Sequence, residues 1–380
     1  MNVVVAPDSF KECLSARLVA ESIASGIRRV MPETEIIQIP IADGGEGTVD
    51  ALIAATKGKM VKAMTYDPLM RPVISFYGVC GDGKTAIIEM AAASGIGLLS
   101  SDERNPMYTT TYGTGKLIID ALEAGYKTII LGIGGSATND GGSGMAQALG
   151  VSLMDKSGKE IAHGGGHLSS LEYIDTSRIK PLINEAQIIV ACDVTNPLFG
   201  YNGASFIYGP QKGGTPAMIE TLDKNLEHFA KLIKEQLNID VANVPGSGAA
   251  GGLGAGLMAF ANAQLKPGFE IIKSITRLEE FISKADLVFT AEGKIDFQTQ
   301  FGKTPYGVAQ IAAKYIIPVV ALAGIIGNGA EILYEKGITS MFSIVDKPMT
   351  LKESIAHAED LLQNTAERVM RAICITMHEK

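Results

Sequence analysis

The chain contains no tryptophan, only four cysteines among its 380 residues, and no apolar run long enough to span a membrane. The cysteines are widely separated and lack the spacing of a metal site, which is typical of reduced thiols: Cys13, Cys80, Cys192 and Cys374. The chain begins with a strand-like apolar run, without the basic leader and apolar segment of a signal peptide. These absences predict a cytoplasmic protein with no membrane partner.

Lysine- or arginine-rich tracts are also absent, and the formal net charge is −8. Nucleic acids and anionic membrane surfaces are therefore not expected as partners. Charged residues make up 19% of the chain and hydrophobic residues 46%, a balance that predicts a folded protein with a large core. A length of 380 residues accommodates two domains.

Alternating strand and helix patterns at both ends of the chain predict a doubly wound sheet. Ser15 is placed to cap a helix that continues to about Val30. The strand-like segments at the two ends are residues 3–6, 36–41, 286–290, 318–322 and 340–344. In the middle of the chain, three strand-like segments without intervening helices predict an antiparallel meander: 60–65, 73–79 and 85–90. Residues 151–161 predict a hairpin.

We therefore predict an α/β fold with two domains. A doubly wound Rossmann/flavodoxin-like domain is expected from residues 1–58 and 282–380, with a mixed α/β domain of residues 59–281 inserted into it. The segment 112–150 could belong to either domain. The active site is expected in the cleft between the domains, the usual place for a ligand site.

The glycine-rich run Gly132–Met145 lies between an apolar strand and the start of a helix. Glycine there lets main-chain N–H groups surround an anionic ligand that side chains would exclude. The residues that we expect to bind a phosphorylated ligand are Gly134, Gly135, Ser136, Thr138, Asn139, Gly141 and Gly142. Asp140, in the same run, could contact a metal ion or the substrate.

Charged residues also follow the first two predicted strands, at the sheet edge where α/β proteins bind ligands. Asp8, Ser9 and Lys11 follow the first strand, and a lysine in such a turn can bind phosphate or carboxylate. Asp43 and Glu46 follow the second strand and could bind Mg²⁺ or substrate hydroxyls. Each of these residues could instead stabilise its turn or cap a helix.

Two later turns carry further acidic candidates for metal binding or acid–base chemistry. Asp193 follows the strand-like segment 187–192, and Glu292 and Asp296 follow the segment 286–290. The nearby Gly-Lys-Thr is not a Walker A motif, because Phe297 stands where that motif requires glycine. Instead, the following proline predicts that Thr304 caps a helix. Any one acidic turn residue is usually structural, but five acidic turns together favour a ligand site.

Taken together, these motifs resemble the glycerate kinase type 1 family. The matching segments are 6–11 (APDSFK), 42–48 (ADGGEGT), 67–73 (DPLMRPV), 111–115 (TYGTG), 134–142 (GGSATNDGG), 192–198 (CDVTNPL), 292–299 (EGKIDFQT) and 302–309 (GKTPYGVA). The chain departs from the family pattern in having Glu12 and Cys13 where Gly-Ser is usual. Met70 and Ala291 likewise stand where the family usually has glycine.

The resemblance implies a two-domain kinase that phosphorylates D-glycerate with ATP and Mg²⁺, and it favours the 2-hydroxyl as acceptor. In this hypothesis, Lys11 neutralises phosphate charge, and a carboxylate such as Asp8 accepts the hydroxyl proton. The residues expected to hold Mg²⁺ are Asp193, Asp296 and Glu292. The residues expected to bind glycerate are Ser9, Asp43, Glu46 and Arg71, with the arginine on the carboxylate. The expected assembly is a monomer or a homodimer.

Three alternatives remain at the level of the sequence. An NAD-dependent dehydrogenase is disfavoured, because no Gly-x-Gly-x-x-Gly follows the first strand. A glycerate kinase could act on the 3-hydroxyl and give 3-phosphoglycerate. A non-catalytic, two-lobed metabolite-binding protein would need none of the acidic turns that this chain carries.

Overall fold

The computed structural model describes residues 1–42, 45 and 47–377. The strands of this part of the chain are β1 (Asn2–Val5), β2 (Glu35–Gln38), β3 (Lys59–Tyr66), β4 (Pro72–Val79), β5 (Thr85–Glu89), β6 (Thr128–Gly132), β7 (Ser152–Met154), β8 (Tyr173–Asp175), β9 (Gln187–Ala191), β10 (Gln264–Lys266), β11 (Leu287–Ile295), β12 (Val319–Ile326) and β13 (Ser340–Ser343).

The α-helices of the same residues are α1 (Ala16–Arg28), α2 (Thr48–Thr56), α3 (Ala91–Ser94), α4 (Tyr112–Glu123), α5 (Ser143–Leu149), α6 (Pro181–Asn184), α7 (Ala204–Tyr208), α8 (Pro216–Leu237), α9 (Ala249–Ala261), α10 (Gly268–Thr276), α11 (Leu278–Ile282), α12 (Thr304–Lys314), α13 (Leu351–Ala356) and α14 (Ala358–Met377). Short 3-10 helices occupy Ile96–Leu98, Gly165–Ser170, Pro210–Lys212, Phe297–Phe301 and Ala330–Lys336. Within the described residues, no helix is long and apolar enough to cross a membrane.

The chain divides into two compact units. The first unit comprises Met1–Asp43, Asp50–Lys57 and Phe269–Lys380, so both ends of the chain contribute to it. The second unit comprises Gly44–Val49 and Gly58–Gly268. The segment 112–150 lies in the second unit.

The first unit contains a parallel sheet with the strand order β13-β12-β11-β1-β2. Numbered within the unit, this order is 2-1-3-4-5, which is the flavodoxin-like doubly wound arrangement. The predicted α/β fold is thereby confirmed. In such a sheet the strand order reverses between β1 and β11, and ligands bind at the carboxyl ends of those two strands.

Local signals account for the start of this unit. Val3 and Val5 are fully buried in its core, and the Ser15 hydroxyl accepts a 3.3 Å hydrogen bond from the Leu18 N–H, as the sequence predicts. Helix α1 then packs against α14 so closely that a Cβ atom at Gly26 would overlap the main chain of α14. Glycine is therefore required at this helix crossing.

The second unit contains a mixed six-stranded sheet with the order β10-β9-β6-β5-β4-β3. Strands β3, β4 and β5 are antiparallel neighbours, which confirms the predicted meander, and the remaining pairs are parallel. The predicted hairpin at 151–161 is confirmed: Met154 pairs antiparallel with Glu160, and the Ile161 N–H donates to the Leu153 carbonyl oxygen at 2.8 Å. Strand β7 also pairs with β8, which the sequence did not predict.

Candidate functional site

Asp8 lies directly after β1, at the point where the sheet of the first unit reverses its strand order. Its N–H donates to the Ala291 carbonyl oxygen at 2.8 Å, which extends the pairing of β1 with β11 beyond the strand end. The Asp8 side chain is 7% exposed. Its Oδ1 accepts hydrogen bonds from the Ser9 N–H (2.6 Å) and the Ser9 hydroxyl (3.3 Å), and its Oδ2 accepts one from the Thr304 hydroxyl (2.9 Å).

The predicted capping role of Thr304 is wrong. Thr304 is the first residue of α12, the preceding position is occupied by Lys303, and no side chain caps this helix end. The Thr304 hydroxyl instead donates to Asp8, because that buried carboxylate oxygen requires a donor.

Glu292, in β11, is a half-buried carboxylate whose charge interacts with that of Asp8. Its Oε1 forms a 2.6 Å ion pair with the Lys303 Nζ. Its Oε2 is buried and has no hydrogen-bond partner in the described chain. Burial raises the pKa of the Glu292 carboxyl, and the charge of Asp8 raises it further. Lys303 and Lys11 act in the opposite direction. The sequence thus identified three members of this group, Asp8, Lys11 and Glu292, but not Lys303.

Asp296 is the other acidic residue that the sequence predicts near β11, and its carboxylate stabilises the local chain. It caps the 3-10 helix Phe297–Phe301, where its Oδ1 accepts a 2.9 Å hydrogen bond from the Gln298 N–H. Its Oδ2 forms a 2.7 Å ion pair with Lys294, which lowers the pKa of Asp296. Because both oxygens have protein partners, a metal ion bound by Asp296 would share these oxygens with the Gln298 N–H and the Lys294 ammonium.

Asp193 lies in the second unit, whereas Asp296 and Glu292 lie in the first. It is exposed after β9, and its Oδ1 accepts a 3.0 Å hydrogen bond from the Gly268 N–H. Among the described residues, no three His, Cys, Asp or Glu side chains are grouped to hold a metal ion. A magnesium ion bound with a nucleotide needs only one or two protein carboxylates, and the unpartnered oxygen of Glu292 fits that requirement.

The glycine-rich run lies in the second unit, and most of it is buried. Gly134 and Gly135 are exposed, whereas Ser136 and the residues after it are buried. The N–H groups of Gly134, Gly135 and Ser136 have no hydrogen-bond partner in the part of the chain that the structure describes. These three amides are therefore available to a ligand.

The other two predicted amides are already used by the protein. The Gly141 N–H donates to the Gly251 carbonyl oxygen at 3.0 Å, and the Gly142 N–H donates to Asp140 Oδ1 at 3.1 Å. At Gly251, in the kink of α9, φ is +69° and a Cβ atom would overlap the Thr138 carbonyl oxygen. A phosphate-binding role for Gly141 and Gly142 would require these hydrogen bonds to break.

Asp140 is fully buried and holds the run against the start of α4. Its Oδ2 accepts hydrogen bonds from the Thr111 N–H (2.8 Å), the Thr111 hydroxyl (2.9 Å), the Thr110 hydroxyl (3.3 Å) and the Gly144 N–H (3.2 Å). Its Oδ1 accepts one hydrogen bond, from the Gly142 N–H at 3.1 Å, so both oxygens have protein donors. The expectation that Asp140 reaches a metal ion or substrate is not met in this arrangement, because its charge is enclosed by the protein.

Lys212 is the functional candidate that the sequence reading missed. Its side chain is 1% exposed, and its Nζ donates to the Ser136 hydroxyl oxygen and the Thr138 carbonyl oxygen, each at 2.7 Å. Burial lowers the pKa of Lys212 to about 7. The feature of the sequence that could have indicated Lys212 is a single lysine between glycines in the segment 209–214. Nearby, the Thr138 hydroxyl and the side-chain Oδ1 of Asn139 are buried and have no hydrogen-bond partner among the described residues.

Arg71 is already engaged by two carboxylates. Its Nε donates to Asp67, and its Nη1 donates to Glu103 at 2.6 Å. These two nitrogen atoms are therefore not free to bind a substrate carboxylate. Arg104 differs, because its Nε is buried and has no hydrogen-bond partner in the described residues. Its main chain packs against Gly213, next to Lys212. The predicted residues Asp43 and Glu46 lie outside the described residues.

Known proteins match this chain along nearly its entire length. Residues 3–374 match the model of the glycerate kinase family. The chain is 50% identical over 377 residues to glycerate 2-kinase of Escherichia coli, with 99% of both chains covered. It is also 50% identical over 368 residues to a glycerate kinase of Halalkalibacterium halodurans, with 97% of each covered. A crystal structure described as glycerate kinase 2 of Salmonella typhimurium LT2 superposes with a TM-score of 0.91 at 47% identity, covering 100% of this chain and 99% of the other.

Proposed function

The chain belongs to the glycerate kinase family, and we propose that it transfers the terminal phosphoryl group of ATP to the 2-hydroxyl of D-glycerate. The products are 2-phosphoglycerate and ADP. The observation that carries this proposal is the 50% identity to a glycerate 2-kinase over 377 residues. Membership of a kinase family removes the ground for the non-catalytic alternative.

In this proposal, residues 134–136 of the glycine-rich run bind phosphate. The free N–H groups of Gly134, Gly135 and Ser136 donate to phosphate oxygens, as main-chain amides do in other anion-binding turns. Thr138 and Asn139, behind them, contribute two buried oxygen atoms that still lack partners. Gly141 and Gly142 support this geometry through their own hydrogen bonds rather than by contact with the ligand.

The first unit supplies the charged groups. Lys11 and Lys303 provide positive charge beside Glu292, and Glu292 offers one free oxygen to a divalent cation. When bound, Mg²⁺ would neutralise negative charge on the phosphate oxygens. Asp193 and Asp296 remain proposed as further magnesium ligands. We assign the acceptance of the hydroxyl proton to Asp8, and contact with glycerate to Ser9.

The carboxylate of glycerate needs a guanidinium with free N–H groups. Arg71 was the residue proposed from the sequence, but two of its nitrogen atoms are committed to Asp67 and Glu103. The unpartnered Nε of Arg104 favours that residue for the same task.

The direct test is incubation of the protein with ATP, Mg²⁺ and D-glycerate, followed by detection of ADP and phosphorus NMR of the product. We expect 2-phosphoglycerate; a product phosphorylated at the 3-hydroxyl would overturn the regiochemistry, and no ADP would overturn the kinase proposal. Glu292→Gln and Asp193→Asn are expected to lower turnover at least tenfold. Glu220→Gln, an exposed change on α8, is the matched control. Normal turnover in both site variants would reject the assigned roles.

A further inference from the structure

Lys212 is a fully buried lysine at the end of the short helix Pro210–Lys212. Lysine is rarely buried without a paired charge, because removing an ammonium from water is costly. Lys212 has no carboxylate as a hydrogen-bond partner among the described residues, and its two acceptors are the Ser136 hydroxyl and the Thr138 carbonyl. In its ammonium form, Lys212 therefore places a buried positive charge beside Ser136 of the glycine-rich run.

The contact with Lys212 determines the direction of the Ser136 hydroxyl. An ammonium group has only donors, so the Ser136 oxygen must accept from Lys212 and its own proton is left to donate elsewhere. The described part of the chain provides no acceptor for this proton. Ser136 follows the exposed Gly134 and Gly135, whose N–H groups also have no partner among the residues that the structure describes. Three main-chain donors and one hydroxyl donor thus belong to the same short turn.

On the basis of the proposed function, we propose that Lys212 is a positioning residue for the ATP phosphates: it presents the Ser136 hydroxyl as a donor and supplies the buried positive charge. An anion that accepts from Ser136 would lie on the far side of that hydroxyl from the ammonium. The ligand then stabilises the charged lysine, and the charged lysine stabilises the ligand.

The charged groups near Lys212 set the expected pH dependence. Burial lowers the pKa of Lys212 to about 7, and the charge of Asp140 opposes this by favouring the ammonium form. The main chain of Arg104 packs against the neighbouring Gly213. Above pH 7 the free protein must take up a proton to restore the ammonium. Binding of ATP should therefore weaken by up to about tenfold per pH unit.

The experiment measures ATP binding by calorimetry and steady-state KM values from pH 6 to pH 9. The variants are Lys212→Met, Ser136→Ala and the double variant, with Lys231→Met on the exposed face of α8 as control. We expect at least a tenfold weaker affinity for ATP in Lys212→Met, with the pH dependence above 7 abolished. Ser136→Ala should also weaken ATP binding, and the double variant should be no weaker than Lys212→Met, because the two groups act together.

A merely structural lysine would lower kcat or stability but leave the pH dependence of ATP affinity intact, and that result would overturn the proposal. A change confined to the KM for glycerate would overturn the assignment to ATP. If Lys212→Met does not fold, unaltered ATP affinity in Ser136→Ala would overturn it instead. ATP binding is measured without glycerate. If the wild-type protein binds ATP in this pH-dependent way but forms no ADP with glycerate, the proposed function fails and the role of Lys212 stands.

Discussion

The Thr304 hydroxyl donates a 2.9 Å hydrogen bond to Asp8 Oδ2, which joins two residues that are 296 positions apart in the chain. Thr304 is 3% exposed and Asp8 is 7% exposed, so water does not replace this donor easily. The contact fixes the carboxylate that follows β1 to the start of α12. It also brings the GKT segment, which is not a Walker A motif, to the reversal point of the sheet.

Thr304→Val removes this donor while keeping the shape of the side chain. We expect a loss of about 1.5–3 kcal/mol in stability, the usual contribution of a hydrogen bond to a charged group, together with lower turnover. Thr304→Ser keeps the hydroxyl and serves as the matched control. Thermal melting and the ADP-coupled assay measure both effects. Equal melting temperatures for the valine and serine variants would show that the hydrogen bond is unimportant.

Local sequence signals predicted what local interactions determine. Ser15 caps α1 because its hydroxyl reaches an N–H three residues away, and the apolar runs of β1 and β11 form strands as expected. Thr304 was misread, because its partner Asp8 is distant in sequence and no local pattern indicates it. The roles of Asp140 and Lys212 were inaccessible for the same reason. Their partners come from other segments, and burial decides which atoms stay free for a ligand.

Two of the departures from the family pattern coincide with left-handed backbone. Glu12 has φ +61° and Met70 has φ +62°, at two positions where the resemblance described in the sequence analysis implies glycine. A non-glycine residue in this conformation costs roughly 1–2 kcal/mol relative to right-handed backbone. The family glycines thus have a conformational reason that the sequence alone does not reveal.

Glu12→Gly should therefore stabilise the protein, by about 1 kcal/mol, because glycine adopts a positive φ without strain. Glu12 is exposed, so few side-chain contacts are lost. Glu21→Gly is the contrasting control, since glycine within helix α1 should destabilise by about 1 kcal/mol. Both are measured by thermal melting. A lower melting temperature for Glu12→Gly would mean that the Glu12 side chain contributes more than its backbone strain costs.

Asp140→Asn distinguishes a structural carboxylate from a metal-binding one. The asparagine amide would face donors such as the Thr111 N–H, so we expect a loss of about 3 kcal/mol in stability. Asp193→Asn, at an exposed position, should leave the melting temperature nearly unchanged while lowering turnover. Additional Mg²⁺ should not restore Asp140→Asn. An Asp140→Asn protein of normal stability that is rescued by Mg²⁺ would contradict the structural role.

Arg104→Met and Arg71→Met test which guanidinium binds the carboxylate of glycerate. We expect Arg104→Met to raise the KM for D-glycerate at least tenfold, because its unpartnered Nε is free for the substrate. Arg71→Met should mainly destabilise the turn around Asp67, with a smaller effect on KM. Steady-state kinetics at saturating ATP separate these outcomes. If the KM for D-glycerate rises tenfold in Arg71→Met but not in Arg104→Met, then Arg71 is the residue that binds the carboxylate.

Lys212 should also make the stability of the protein depend on pH. Its pKa is lowered to about 7 by burial, so between pH 7 and its ordinary value near 10.5 the unfolded chain binds more protons than the native chain. Native stability therefore rises with pH in this window, whereas below pH 7 the buried ammonium destabilises the native state by a constant amount. At up to about 1.4 kcal/mol per pH unit, the gain between pH 7 and pH 9 is about 2 kcal/mol.

Urea unfolding of the wild-type protein and of Lys212→Met at pH 7 and pH 9 measures this contribution as a difference between the two proteins, because their other titrating groups are the same. The wild-type protein should gain about 2 kcal/mol relative to Lys212→Met on going from pH 7 to pH 9. Lys231→Met, which removes an exposed lysine, should follow the wild-type protein. Parallel pH dependence in the wild-type protein and Lys212→Met would mean that the buried lysine keeps its ordinary pKa, and the pH dependence expected for ATP binding would then lose its physical basis.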